Sequence, residues 1–363
     1  MDHSFYRRPL PSGTIAFSSQ EGRALFAEAL AHGGLDGYFQ LAEQFHTQSD
    51  PAFCGLGSLV VALNALAIDP GRLWKGPWRW FAEDLLDCCV PLAHVRAHGL
   101  TLDELACLAR CNGAEVDTHH SALADEDLAA FRRALAACAR GERVLIASYD
   151  RASLGQTGSG HFSPVGGYHA QRDLVLLLDV ARFKYPPHWI SGEALWRAMH
   201  AVDPAVGRAR GWLSLSARAH GVALGFTLRC SDASWQALAE RIASAHRELG
   251  HASDLHALTH AMRPIAEAVE LRAPTTPSHA EALTQARAAL RALPLYTRLS
   301  DAGEEPAFAE VITLLLLASQ DRLTPSQRSE LGELTMSEPL NDELRNLSAQ
   351  ITAIMTAQSA DAP

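Results

Sequence analysis

Cys54 stands between a polar, turn-forming stretch, HTQSDPAF, and an apolar one, CGLGSLVVALNALAI. In the second, Leu59, Leu63 and Leu66 recur with Val60 and Ala67 at three- and four-residue spacing. That spacing predicts a helix opening at Cys54 and stopping at the DPG of Asp69 to Gly71. A thiol in the first turn of a helix lies near the positive end of the helix dipole and near backbone N–H groups without intrahelical partners. Both favour the thiolate. The chemistry this permits is nucleophilic attack on a carbonyl.

Such a thiolate needs a base or ion-pair partner, usually histidine, and the ring needs a third group to fix it. His161 and Asp179 fit those roles. The runs HFSPVGGYHA and LVLLLDV flank the polar turn QRD at Gln171 to Asp173 and predict a hairpin. Folding it about a centre between Ala170 and Arg172 puts position 161 opposite a stretch from Asp179 to Phe183. An oxyanion needs donors beside the sulfur. The Cys54 backbone N–H is one, and the side-chain amide of Gln48, six residues earlier in the same loop, is the expected second. On this arrangement His161→Ala blocks acylation, while Asp179→Asn leaves folding intact and misorients the imidazole.

The elements that must position these residues are mixed. Helical spacing runs from Glu21 to His32 and from Tyr38 to Phe45. TLDELACLARCNG from Thr101 reads as a capped amphipathic helix closed by Asn112 and Gly113. DEDLAAFRRALAACARG from Asp125 reads as another helix, and VLIASYD from Val144 as an apolar strand before a Gly-rich loop. From about Ser231 strand signals vanish, and WQALAERIASAHREL, HAEALTQARAALRAL and FAEVITLLLLAS are helical. The expected architecture is an α+β domain over 1–221 and an all-helical domain of regulatory or stabilising role over 222–363.

Hydrophobic residues at 48% and charged residues at 20% of 363 suit a soluble globular chain of two units. A net charge of −10 without a polybasic run argues against nucleic acid as the main partner. The N-terminus, MDHSFYRRPLPSG, lacks the apolar run of a signal peptide, and VITLLLLAS from Val311 is too short to span a bilayer. The expected location is the cytoplasm, away from membranes. Six of the seven cysteines lie between Cys54 and Cys138, and nothing marks a secreted disulfide framework, so free thiols are expected.

Plainer readings compete. A buried cysteine is usually packing, a histidine in a Gly-rich stretch can line a turn, and Asp179 can cap the next segment. Cys88 and Cys89, or Cys107 and Cys111 at helical i,i+4 spacing, could bind a metal along with His94 and His98. No C-x-x-C pair occurs, so packing is favoured over metal binding. A non-enzymatic metal-binding protein using the clustered thiols is the rival class. GQTGSGH from Gly155 lacks the G-K-[ST] of a phosphate loop and the third glycine of a dinucleotide fingerprint, so its glycines are expected to let a substrate approach the backbone. WKGPWRW from Trp74 holds one lysine and one arginine, which favours a packed loop near the active cleft over a nucleic-acid platform.

With these residues assembled, the motifs FYRRPLPSG, TQSDPAFCGL, LNALAIDPGRLWKGPWRWF, LDCC and DVARFKYPPHW closely resemble those of the phytochelatin synthases, over roughly Phe5 to Ser216. The resemblance implies a papain-like cysteine-peptidase fold, with Cys54 of PAFCGL as nucleophile, His161 of SGHFSP as the histidine and Asp179 of DVARFKYPPHW as the aspartate. It implies glutathione γ-glutamylcysteinyltransferase chemistry, with glutathione and phytochelatin peptides as substrates. No cofactor is required, and Cd²⁺ or Zn²⁺ activates mainly as a glutathione thiolate complex. Asp203 and Arg210 in AVDPAVGRARGW resemble positions that hold the γ-glutamyl ammonium and carboxylate. Arg182 and Lys184 would add positive potential around an anionic tripeptide. Hydrolysis of glutathione or its conjugates to γ-glutamylcysteine is the alternative outcome, and a homodimer is left open. Plant members carry a cysteine-rich C-terminal region, whereas Cys230 is the only cysteine here beyond Cys138, which argues against metal sensing by this tail.

Overall fold

The structure, a computed structural model, describes residues 8–70, 73–87, 90, 92–217, 226–228, 235–271, 277–331 and 337–359. The first elements are β1 (Ile15–Ala16), α1 (Gln20–Ala31), α2 (Tyr38–Gln44), α3 (Cys54–Ala65), α4 (Leu92–His98) and α5 (Leu102–Cys111). Then come β2 (Ala114–His120), α6 (Asp125–Ala139), β3 (Val144–Asp150), β4 (Gly160–His169), β5 (Leu174–Leu177) and β6 (His188–Ser191). They are followed by α7 (Gly192–Met199), the short pair β7 (Val202–Asp203) and β8 (Arg208–Ala209), and β9 (Gly211–Ala217). The C-terminal region holds β10 (Phe226–Leu228), α8 (Trp235–Leu249), α9 (Leu255–Ala266), β11 (Val269–Leu271), α10 (Pro277–Arg291), α11 (Pro294–Asp301), α12 (Pro306–Ala318), α13 (Pro325–Leu331) and α14 (Glu338–Ser359).

Seven strands form one antiparallel sheet in the order β1-β6-β5-β4-β3-β9-β2. The run VLIASYD is apolar throughout because β3 is covered on both faces. Val144 and Ile146 face a core shared with α3 and α5, while Leu145, Ala147 and Tyr149 face a second core with Phe131 of α6 and Trp196 of α7. The predicted hairpin is β4–β5, with a turn through Ala170–Arg172 and Asp173 at φ +50°, a left-handed conformation that aspartate tolerates. Arg132 and the Tyr168 hydroxyl both bond the Asp173 carboxylate at 2.7 Å and pin that turn.

Three expectations change. β2 (AEVDTHH) and β9 (GWLSLSA) are strands that the residue spacing does not mark, although β9 fills the sheet between β3 and β2. Helix α5 has the expected capping box, Thr101 with Glu104, but it is not half exposed: even Asp103 and Glu104 are buried, Asp103 against His120 and Arg208 and Glu104 against Thr101 and His94, while α14 also packs on the helix. The C-terminal region is not all helical, since β10 and β11 pair antiparallel, Phe226 with Leu271 and Leu228 with Val269. The boundary expected at residue 221 lies outside the described residues. Among the described residues, no helix is long and apolar enough to cross a membrane.

Candidate active site

Cys54 is the first residue of α3, as its spacing predicts. Its entry loop is bolted from several sides. The Gln48 N–H donates to the Val180 carbonyl at 3.0 Å, tying the loop to the segment that holds Asp179. The Ser49 N–H donates to the buried Glu83 carboxylate at 3.0 Å, and the Ala52 N–H to the Asp50 side chain at 3.0 Å. The Phe53 N–H closes the turn on the Asp50 carbonyl at 2.9 Å, and the helix begins at the next residue.

β4 and β5 bring the other two groups to the same place. His161, at the start of β4, is buried, and its Nε2 lies 2.9 Å from Asp179 Oδ1, just past β5. The charge of the same imidazole acts on the Cys54 thiol. Tyr149, paired with His161 across β3 and β4, presses edge-on against the ring with centroids 5.7 Å apart.

Burial alone would push the Cys54 thiol up. The charge of His161, the Phe162 backbone N–H and the charge of Arg151 overcome it and hold the thiol below its usual value. Burial would likewise pull the His161 imidazole down, but Asp179 outweighs it and the ring is held above its usual value, with Arg151 opposing. Against its own burial, Asp179 is kept well below the carboxylate range by His161 and Arg151. The three groups together favour a thiolate–imidazolium pair backed by a carboxylate.

The thiol opens onto a cleft of about 550 Å³ lined also by Ser159, Gly160, Phe162, Asp203 and Arg210. Asp203, at the end of β7, pairs at 3.0 Å with Arg210, the residue after β8. A Cβ at Gly160 would collide with the Arg210 guanidinium, so this glycine makes room for that side chain. The buried Arg210 Nε has no partner among the described residues. On the opposite wall stand His94 and His98, one turn apart on α4 with ring centroids 4.8 Å apart, and Glu104, whose carboxylate is 3.7 Å from His94.

Other expected residues are placed differently. The Gln48 amide nitrogen donates to the Asp50 and Pro51 carbonyls at 2.8 and 3.0 Å, so both its N–H groups serve the loop rather than the space beside the sulfur. The Arg182 guanidinium lies over the Phe45 ring at 4.9 Å and does not line the cleft. Phe45 instead lines a separate cavity of about 630 Å³ with Phe53, Trp74 and Trp80. The WKGPWRW stretch is not packed as expected: Trp78 is 69% exposed and Trp74 and Trp80 are also exposed. Cys107 and Cys111 are buried in α5, while Cys88 and Cys89 lie outside the described residues. Cys54, Cys107, Cys111 and Cys138 form no disulfides, and among the described residues no group of three or more His, Cys, Asp or Glu side chains is arranged to hold a metal ion.

Arg151 is the residue at the site that the sequence reading missed. Its Nη2 lies 2.8 Å from Asp179 Oδ2, 3.0 Å from Oδ1 and 2.8 Å from His161 Nε2. The signal was its place two residues beyond Tyr149: pairing of β3 with β4 sets Tyr149 opposite His161, and the Arg151 N–H bonds the Ser159 carbonyl at 3.0 Å.

The phytochelatin synthase family profile matches residues 5–212 of this chain. The chain is 52% identical over 240 residues to glutathione γ-glutamylcysteinyltransferase 1 of Triticum aestivum, covering 65% of this chain and 47% of that protein. It is 49% identical over 237 residues to glutathione γ-glutamylcysteinyltransferase 3 of Lotus japonicus, covering 65% and 49%. It is 46% identical over 213 residues to the glutathione γ-glutamylcysteinyltransferase of Schizosaccharomyces pombe, covering 58% and 51%. The chain thus spans about half the length of the curated relatives it matches. A thiol poised beside a carboxylate-backed imidazole, on motifs that the family profile matches over more than half the sequence, makes this chain a member of the phytochelatin synthase family.

Proposed function

We propose that this chain is a glutathione γ-glutamylcysteinyltransferase working through a thioester on Cys54. The observation that carries this reading is the meeting of Cys54, His161 and Asp179 at a cleft whose wall holds an Asp203–Arg210 pair. The γ-glutamyl end of glutathione carries an ammonium and a carboxylate on one carbon. An acid and a base side by side complement both.

The Cys54 thiolate attacks the carbonyl of the Cys–Gly bond, and the negative oxygen is met by the Cys54 backbone N–H. His161 hands a proton to the glycine nitrogen as the C–N bond breaks. A γ-glutamylcysteinyl thioester remains. The α-amine of a second glutathione then attacks, His161 takes its proton, and the C–S bond breaks to restore the thiol. Cd²⁺ or Zn²⁺ enters as part of the substrate, on the glutathione sulfurs.

The antiparallel sheet with a helix-borne thiol on one side and its histidine on a strand is consistent with a papain-like arrangement, and we assign the catalytic unit to residues 1–221. The reduced thiols suit a cytoplasmic setting. The test is to incubate the purified protein with glutathione, with and without Cd²⁺, and to resolve products by mass. Glycine release with γ-glutamylcysteine oligomers is expected. Free γ-glutamylcysteine alone makes the chain a hydrolase. Neither product, with stoichiometric Cd²⁺ binding that survives Cys54→Ser, replaces the enzyme by a metal-binding protein.

A further inference from the structure

We infer that Arg151 is a fourth, positioning member of the site, whose guanidinium anchors the Asp179 carboxylate and shares it with His161. Only 2% of Arg151 is exposed. Nη2 reaches both Asp179 oxygens and His161 Nε2, while Nη1 donates to Gln156 Oε1 at 2.5 Å.

Gln156 is itself oriented. The His188 Nδ1–H donates to the Pro186 carbonyl at 2.9 Å, which leaves His188 Nε2 to accept from the Gln156 amide nitrogen at 3.1 Å. The Gln156 oxygen must then face Arg151. The Tyr185 ring lies against the guanidinium at 5.1 Å and closes the other side. An arginine held at this many points is a fixed charge.

A fixed positive charge beside an Asp–His pair has a definite effect. Alone, a buried carboxylate would bind the imidazolium so tightly that the ring would be a poor acid toward a leaving amine. Arg151 takes part of the carboxylate's charge and opposes the proton on His161, and it also favours the Cys54 thiolate. The other titratable neighbours do not substitute for it. Burial keeps the Tyr149 hydroxyl and the His188 imidazole neutral, and the Lys184 ammonium, partly exposed, stands beside Gly158 on the same side as Arg151, where burial and that guanidinium oppose its charge.

This inference rests on the thiolate–imidazolium pair of the proposed function, not on the identity of the substrate. Its test is site-resolved labelling of Cys54 by iodoacetamide across pH, read by mass on the full chain, for wild type, Arg151→Gln and Arg151→Lys. Removing one positive charge makes the thiol hold its proton more tightly, so in Arg151→Gln the limb along which labelling rises with pH moves to higher pH. A shift of about one unit lowers labelling roughly tenfold at a fixed pH on the acid limb. Arg151→Lys keeps the charge and loses the fork, so its labelling limb stays at the wild-type position while glycine release from glutathione slows.

A folded Arg151→Gln with an unmoved labelling limb overturns the inference. If Arg151→Gln does not fold, Arg151→Lys decides: a wild-type labelling limb with slower turnover supports it, and wild-type turnover overturns it. A displaced limb in the Gln variant with no turnover of glutathione in wild type upholds Arg151 and rejects the substrate instead.

Discussion

At Cys54 two effects compete for one proton: burial favours the neutral thiol, while His161, the Phe162 N–H and Arg151 favour the thiolate. Lowering the thiol and raising the imidazole both move the shared proton from sulfur towards nitrogen. Cys54, His161 and Asp179 were legible because helix-opening position and hairpin geometry are local properties of the sequence. Arg151 was not, because its partners come from the far strand of a hairpin and from the segment beyond the next one. That partner alters an expectation: Asp179→Asn cannot leave folding untouched, since the same carboxylate pairs with a buried guanidinium. We expect the variant to lose turnover and about 3–5 kcal/mol of stability, the penalty for stranding a buried charge. Urea denaturation reads this, and an unchanged midpoint would refute the pairing.

Among the elements, the Gly-rich loop into β4 shows how a backbone detail sets a substrate pocket. Gly160 was expected to let a substrate approach the backbone. In the structure the close approach is by Arg210, which packs where a Cβ would be. Gly160→Ala therefore displaces Arg210 from Asp203. We expect KM for glutathione to rise severalfold while iodoacetamide labelling of Cys54 stays near wild type. Unchanged KM would remove Arg210 from substrate binding. The capping box of α5 was legible from Thr101 and Glu104, whereas the burial of its polar side was not. Asp103 is covered by His120 and Arg208, which β2 and β8 bring to it from later in the chain. Strand β9 eluded the reading for a related reason: its pairing with β2 and β3 is long-range, and its alternation GWLSLSA is short.

For the whole molecule, the expected second unit exists as a helical region, but its apolar side chains continue the core that surrounds α3 and α5. Helix α14 is the connector. It packs on α5, and its Glu343 and Gln350 accept the N–H groups of Phe226 and Leu228 at 3.1 and 2.8 Å, anchoring the β10 strand. Around α12, Arg287 and Arg291 both pair with the buried Glu310, so the charge patterning of this region serves its own packing. Leu347 of α14 is fully buried, and Leu347→Ala is expected to cost about 2–5 kcal/mol of unfolding free energy. A loss under about half a kcal/mol in chemical denaturation would show that α14 does not share this core.

The most direct measurement of the central claim is the intact mass of the protein during turnover. Exposed briefly to glutathione and quenched in acid, wild type should gain the mass of one γ-glutamylcysteinyl group, located on the Cys54 peptide and released by hydroxylamine. Cys54→Ser should gain none. An adduct on another residue, or full glycine release by Cys54→Ser, would contradict the assignment of this thiol as the nucleophile.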